Sequence, residues 1–129
     1  MTGREEIRVP SRPVLAHSAD AVRAASLLFV AGVLPADASG SLVGGGDVVA
    51  QAERVFADLG EILLAGGCSF EDVVKVSVYL TDVADRALVN PVRQRVFGPT
   101  RPASTLVEVS ALAIPGAKIE VDCVALVPV

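Results

Sequence analysis

The sequence predicts an α+β fold, in which two helices pack on one face of a mixed β-sheet. Short segments that alternate apolar and polar residues, or that are apolar throughout, are typical of strands. Two longer segments repeat apolar residues at three- and four-residue spacing, as helices do. Two or three strands precede the first helix, one strand separates the helices, and two strands follow. Because the chain has 129 residues, we expect one domain spanning residues 1–129.

The first third of the chain is predicted to be extended. Residues 1–13 contain Pro10 and Pro13, which favour an extended lead-in. Residues 27–31 form the continuous apolar run LLFVA, followed closely by Gly32 and Pro35. An apolar run bounded by turn-forming residues predicts a buried strand.

Two helices are predicted from their caps and their periodicity. The first follows Asp47, which can cap free backbone N–H groups, and ends at Gly66-Gly67, a pair suited to a left-handed termination. The second is predicted to begin at Asn90, with Asn90 as its cap and Pro91 in its first turn. Residues 82–89 would then be a loop or a short turn. The apolar stripe of the first helix comprises Ala52, Val55, Phe56, Leu59, Ile62 and Leu63.

The remaining strands are predicted from alternation. Residues 74–80 read as a half-buried strand. The last quarter, residues 101–129, is predicted to be a β-hairpin with Pro115-Gly116 in its connection. In its second arm, one face carries Ile119, Val121, Cys123 and Ala125, and the other carries Lys118, Glu120, Asp122, Val124 and Leu126.

Glu120 and Asp122 therefore share one face of a strand, and two interpretations of them stay open. They belong to a solvated outer face, or they point into a cleft where one carboxylate is a general base. Val124 and Leu126 continue the same face. A fully solvated face does not need these apolar residues, so part of it is expected to contact protein, such as another subunit.

Composition excludes several classes of function. The net charge is −4, and the 11 Lys and Arg residues form no basic stripe of the kind that nucleic-acid binding requires. No segment reaches the ~18 uncharged apolar residues of a membrane helix. Hydrophobic residues make up 52% of the chain, and we attribute this surplus to surface buried between subunits.

Cysteine usage and the N-terminus predict a cytoplasmic protein. Cys68 and Cys123 are far apart and lack metal-ligand or disulfide spacing, and the charged N-terminus is not a secretory signal. The only histidine, His17, has no Cys, Asp or Glu at ligand spacing. We expect no metal and no cofactor.

Several motifs resemble the RidA/YjgF family, imine deaminases formerly described as L-PSP endoribonucleases. The segments PASTLVEV (102–109) and KIEVDCVA (118–125) are similar to the family's C-terminal signature. The segments LLFVAGVLP (27–35), VVKVSVYLTD (73–82) and VN (89–90) are similar to its earlier motifs. The resemblance covers nearly all of the chain after residue 14. It implies a chorismate-mutase-like fold, a homotrimer, and ligand clefts between subunits.

The same resemblance assigns candidate site residues. Asn90 and Glu120 match the family's asparagine and catalytic glutamate, and Asp122 matches its second carboxylate. Ser18 and Ala31 stand where the family has a cleft tyrosine and a cleft serine.

The most informative departure is at Ser104, where the family has the arginine that binds the substrate carboxylate. A hydroxyl cannot supply the forked, permanently charged contact of a guanidinium. Arg101 lies three residues earlier and could act in its place only by reaching back along the chain. The chain thus resembles a branch of the family that lacks the catalytic arginine.

Three functions remain open from the sequence. The first is an enamine or imine hydrolase (deaminase) or tautomerase that holds its substrate without the usual carboxylate clamp. In it Glu120 would act as the base or would orient the attacking water, and Ser104 and Asn90 would form hydrogen bonds, with Ser18, Ala31, Arg101 and Asp122 lining the site. The second is a non-catalytic trimer that binds a small-molecule ligand as a pathway accessory. The third, a ribonuclease, is disfavoured by the acidic charge.

Overall fold

The computed structural model describes residues 3–14 and 17–129, which form one six-stranded sheet and two helices. The strands are β1 (Arg4–Ile7), β2 (Ala21–Ala24), β3 (Leu27–Val33), β4 (Val73–Leu80), β5 (Ala103–Glu108) and β6 (Ile119–Leu126). The helices are α1 (Val48–Ala65) and α2 (Arg86–Phe97), and short 3₁₀ turns span Phe70–Asp72 and Val83–Asp85. The strand order is β1-β2-β3-β6-β4-β5, with β4 and β5 parallel and the other pairs antiparallel. The predicted α+β class is confirmed.

The core lies between α1 and the inward face of the sheet. The six predicted stripe residues of α1 are each at most 2% exposed, as are the four inward residues of β6. Each fully buried Val, Leu or Ile side chain contributes about 1.5–3 kcal/mol relative to an exposed one. Packing of this stripe, rather than helix propensity, therefore holds α1 on the sheet.

Both ends of α1 follow the prediction. The Asp47 carboxylate accepts hydrogen bonds from the backbone N–H groups of Val49 and Ala50, at 2.9 and 3.3 Å. At the other end, the N–H of Gly66 donates to carbonyls of the last turn. Gly67 then adopts a φ of +84°, a conformation that glycine tolerates and most other residues do not.

Two buried polar residues of α1 fasten chain segments to it. The Gln51 side chain is fully buried; its Nε2 donates to the carbonyls of Gly45 and Gly116, and its Oε1 accepts from the backbone N–H of Lys118. Farther along the helix, Asp58 accepts from Arg12 at 2.7 Å, and both side chains are nearly inaccessible to solvent. The first contact joins two turns, and the second holds the N-terminal segment against α1.

The predicted start of the second helix is wrong. Helix α2 begins at Arg86, four residues before Asn90, and Pro91 lies inside it. The Asp82 side chain caps the preceding 3₁₀ turn by accepting from the N–H of Ala84, and this turn runs directly into α2. Burial of Val89 favours the longer helix. Pro91 is exposed, so the backbone carbonyl that loses its partner can be hydrated.

The predicted hairpin is also wrong, although both of its strands exist. β5 and β6 do not pair, because β4 lies between them. β5 is largely exposed and forms the edge of the sheet, whereas the inward face of β6 is completely buried. A strand of that kind is central and needs a neighbour on each side. The connection between them carries the chain from the edge, past β4, to the centre.

The outward face of the sheet is partly apolar. Phe29 is 46% exposed, Val107 41% and Leu126 49%, and register places them on one face. Val74 is also exposed, contrary to the predicted alternation, because the pairing of β4 with β6 is irregular between Val73 and Lys75. Among the described residues, no helix is long and apolar enough to cross a membrane.

Candidate functional site

Glu120 lies on the outward face of β6, beside Gly32 of β3, which carries no side chain. A Cβ atom at residue 32 would stand only 1.9 Å from Oε2 of Glu120. The absence of a side chain at residue 32 therefore leaves the space that the carboxylate occupies. No described residue donates a hydrogen bond to this carboxylate.

Asp122 has a different environment, although it shares the same strand face. Tyr79, on β4, is paired with Glu120 in register, and its Oη donates to Oδ2 of Asp122 at 2.9 Å. This hydrogen bond is the main reason that the pKa of Tyr79 is raised. Asp122 is thus engaged in the sheet's own polar network, whereas Glu120 is not.

The electrostatics of Glu120 suit proton transfer. Burial raises the pKa of Glu120, and the neighbouring negative charge of Asp122 raises it further. A carboxyl group whose pKa moves toward neutrality can both accept and return a proton near physiological pH. Such a group in a recess is a candidate general base.

Ser104 lies in a second location. It is paired with the buried Val76 in the register of β4 and β5, so its side chain is on the helix side of the sheet. Its Oγ accepts a hydrogen bond of 2.5 Å from Nη2 of Arg93, on α2. Thr105, the next residue, faces the other way and accepts from Lys75 on the outward face.

Beside Ser104 is an open groove of about 550 Å³ between α2 and the turn that follows it. Asn90 and Arg101 line this groove together with Arg93. Its remaining walls are Gln94, Phe97, Gly98, Thr100 and Pro102. The groove lining thus contains two arginines and no acidic side chain.

Ser18 and Ala31 lie elsewhere. Ser18 borders a smaller cavity of about 230 Å³, which is also lined by His17 and by the charged side chains of Arg4, Glu6 and Arg8. Ala31 is half-buried on β3, and its backbone N–H donates to the carbonyl of Asp20 at 2.9 Å. Neither residue lines the groove.

Five of the predicted site residues therefore form two groups on opposite faces of the sheet. Glu120 and Asp122 occupy the outward face. Asn90 and Arg101 line the groove, and Ser104 is hydrogen-bonded to Arg93 in its wall. Three residues near these groups escaped the sequence prediction. Tyr79 and Gly32 are brought to Glu120 only by strand register. Arg93 lies three residues after Asn90 in the predicted helix, and this spacing alone places both side chains on one helix face.

Other reactive side chains contribute little to either group. Both cysteines are buried, and burial raises the pKa of Cys123 to about 12, so its thiol stays protonated. Across residues 3–14 and 17–129 there is no cluster of three or more His, Cys, Asp or Glu side chains suited to a metal ion.

Sequence comparison finds close relatives. A family profile described as Endoribonuclease L-PSP matches residues 10–127. Protein DfrA of Myxococcus xanthus is 43% identical over 105 residues, which are 81% of this chain and 79% of that protein. A 2-iminobutanoate/2-iminopropanoate deaminase of Capra hircus is 40% identical over 100 residues, covering 77% of this chain and 72% of that protein.

Solved structures are similar over nearly the full length. RidA from the Antarctic bacterium Psychrobacter superposes with a TM-score of 0.87 at 31% identity, covering 95% of this chain and 98% of that one. TdcF of E. coli, solved with bound serine, superposes with a TM-score of 0.85 at 25% identity and the same coverage.

Proposed function

Because this chain belongs to the Endoribonuclease L-PSP family, the RidA/YjgF family that its motifs indicated, we propose that it hydrolyses a small imine or enamine. The raised pKa of Glu120, in a recess without a hydrogen-bond donor, is the observation that carries this proposal. Relatives named as imine deaminases support the class of reaction.

In the proposed reaction, water adds to the carbon of a C=N bond. The Glu120 carboxylate accepts a proton from this water as the C–O bond forms, and returns a proton to the nitrogen. The hydroxyl proton of this intermediate then passes to the nitrogen, by way of Glu120, as the C–N bond breaks, giving a carbonyl compound and ammonia. Asp122, already an acceptor for Tyr79, would keep the negative field that favours proton uptake by Glu120.

The proposal includes a homotrimer. Phe29, Val107 and Leu126 form an exposed apolar surface on the sheet's outward face, and such surfaces mark protein contacts. Covering that face with other subunits would also desolvate Glu120 further and enclose its recess. Light scattering at micromolar concentration should then give about three times 13.2 kDa; a monodisperse monomer would refute the assembly. We also propose a cytoplasmic location, with small molecules as the only ligands.

The test measures ammonia release from two sets of substrates. The first is the enamine 2-aminoacrylate and the imine 2-iminobutyrate, both made in situ by a pyridoxal-phosphate dehydratase. The second is imines without a carboxylate. Turnover by the wild-type chain should be lost in Glu120→Gln and largely kept in Asp122→Asn. Equal turnover by Glu120→Gln and wild type would show that Glu120 is not the base.

A second candidate is a trimer that binds a ligand without turning it over. It is favoured by Ser104, Ser18 and Ala31, which stand where the resemblance implies an arginine, a tyrosine and a serine. Saturable binding of these substrates or their products, with no ammonia released from any of them, would select this function over hydrolysis.

A further inference from the structure

We propose that Arg93 is the anion-binding residue of this chain, and that the groove beside it receives the carboxylate of a small ligand. The proposed function supplies only the size and type of that ligand; the anion site itself rests on the residues around Arg93. The proposal assigns to α2 the guanidinium that position 104 lacks.

Arg93 is a cation that no carboxylate of the described residues neutralises. Five ion pairs neutralise other arginines in the described residues, including one between Arg95 and Glu53. Arg93 has no carboxylate within 4.0 Å, and its Nε is buried without a hydrogen-bond partner. Arg8, Arg86 and Arg101 also lack ion pairs, but they are exposed to water, whereas Arg93 is half-buried.

A half-buried guanidinium without a counter-charge is energetically unfavourable, because a charge removed from water needs compensation. In agreement, burial lowers the pKa of Arg93. A bound anion would supply the missing charge. The surroundings of Arg93 therefore favour an anionic ligand over a neutral one.

Ser104 holds Arg93 in place through a hydrogen bond. Its Oγ accepts from Nη2 of Arg93 at 2.5 Å, which fixes one corner of the guanidinium fork. A guanidinium has five N–H donors and no acceptor, so an arginine at position 104 could not make this bond. Ser104 thus acts as a positioning residue that orients Arg93.

The groove beside Arg93 has the size and the lining of a site for a small anion. Its volume of about 550 Å³ lies within the usual range of small-molecule sites. Asn90 and Gln94, on the same helix, add amide groups to its wall, and exposed Arg101 adds a second positive charge. Since no acidic residue lines the groove, its electrostatic field favours a negatively charged ligand.

The test is a calorimetric titration of the intact protein with 2-oxobutanoate, a carboxylate-bearing keto acid, and separately with inorganic phosphate and with neutral butan-2-one. We expect 2-oxobutanoate to bind more tightly than the other two. Arg93→Gln should weaken its binding about 10- to 100-fold, the range for charge-assisted hydrogen bonds. Arg95→Gln is the matched control: it removes an arginine from the same helix, but one already paired with Glu53, and it should leave the affinity unchanged.

Arg93→Lys keeps the charge but loses the fork, and should bind with intermediate affinity; it decides the question if Arg93→Gln does not fold. Unchanged affinity in the Arg93 variants, or absence of any keto-acid binding to wild type, would overturn the proposal. Tighter binding of phosphate would overturn the carboxylate assignment. These outcomes are separate from those of the Glu120→Gln assay. If the affinity for 2-oxobutanoate does not depend on Arg93, the hydrolase proposal still stands. If the chain binds 2-oxobutanoate through Arg93 but releases no ammonia from any imine, the anion site still stands.

Discussion

Replacement of Gly32 by alanine tests the recess of Glu120 without touching its chemistry. The new methyl group would stand 1.9 Å from Oε2 and 2.8 Å from Cδ of Glu120. Both distances are well inside van der Waals contact, so the carboxylate must move. The φ of Gly32 is not in the left-handed region, so alanine introduces no backbone strain.

The size of the displacement follows from these distances. To reach ordinary contact, at 3.4 Å or more, Oε2 must retreat by roughly 1.5 Å. Because a glutamate side chain is flexible, we expect a cost of only about 0.5–1.5 kcal/mol in folding free energy, typical of a side chain forced off its rotamer. A misplacement of about 1 Å at a reacting group can lower a rate by about 100-fold.

Gly32→Ala should therefore fold, melt near the wild-type temperature and lose most imine hydrolysis. Chemical denaturation and ammonia release measure the two effects separately. Gly46→Ala is the control, since a Cβ at residue 46 meets no atom within 4 Å and its φ is also outside the left-handed region. Wild-type turnover in Gly32→Ala would refute the placement of Glu120 as the base.

Three further substitutions test other parts of the structure by urea unfolding. Because the pKa of Glu120 is raised on folding, its stabilising contribution is complete below the unfolded-state pKa of 4.5 and is lost as the pH rises through the folded pKa. Glu120→Gln should therefore be more stable relative to wild type at pH 7 than at pH 4, and the opposite order would contradict the pKa direction. Asp122→Asn weakens a charge-assisted hydrogen bond from Tyr79 and should lose up to about 1.5–3 kcal/mol at pH 7. Gln51→Leu leaves three backbone groups unpaired and should cost at least about 2 kcal/mol.

Much of the local structure could be predicted from the sequence, because local chemistry determines it. The alternation of β6 correctly separates buried Cys123 from outward Glu120. Asp47 and Gly67 mark the ends of α1 because a cap and a left-handed turn each depend on one or two residues. The family's motifs also predicted the class of fold, because each motif corresponds to a complete strand or turn.

What the sequence did not predict depends on contacts between distant segments. The hairpin was wrong because alternation states which face a residue occupies but not which strand lies beside it. Asn90 has the features of a cap, yet packing of Val89 extends α2 past it. Strand pairing and helix packing also explain why Tyr79 and Arg93 were missed, since only the folded chain brings them to Asp122 and Ser104.

The central position of β6 has a consequence for how the chain folds. β3 and β4 are both hydrogen-bonded to β6, yet β6 follows every other strand along the chain. Until it is in place, the β1-β2-β3 meander and the β4-β5 pair are separate half-sheets, each with an edge of unpaired backbone N–H and C=O groups. Pairings over such long sequence separations slow folding, and unpaired edges invite association with other chains. During synthesis, the nascent chain therefore depends on its last strand to become a continuous sheet.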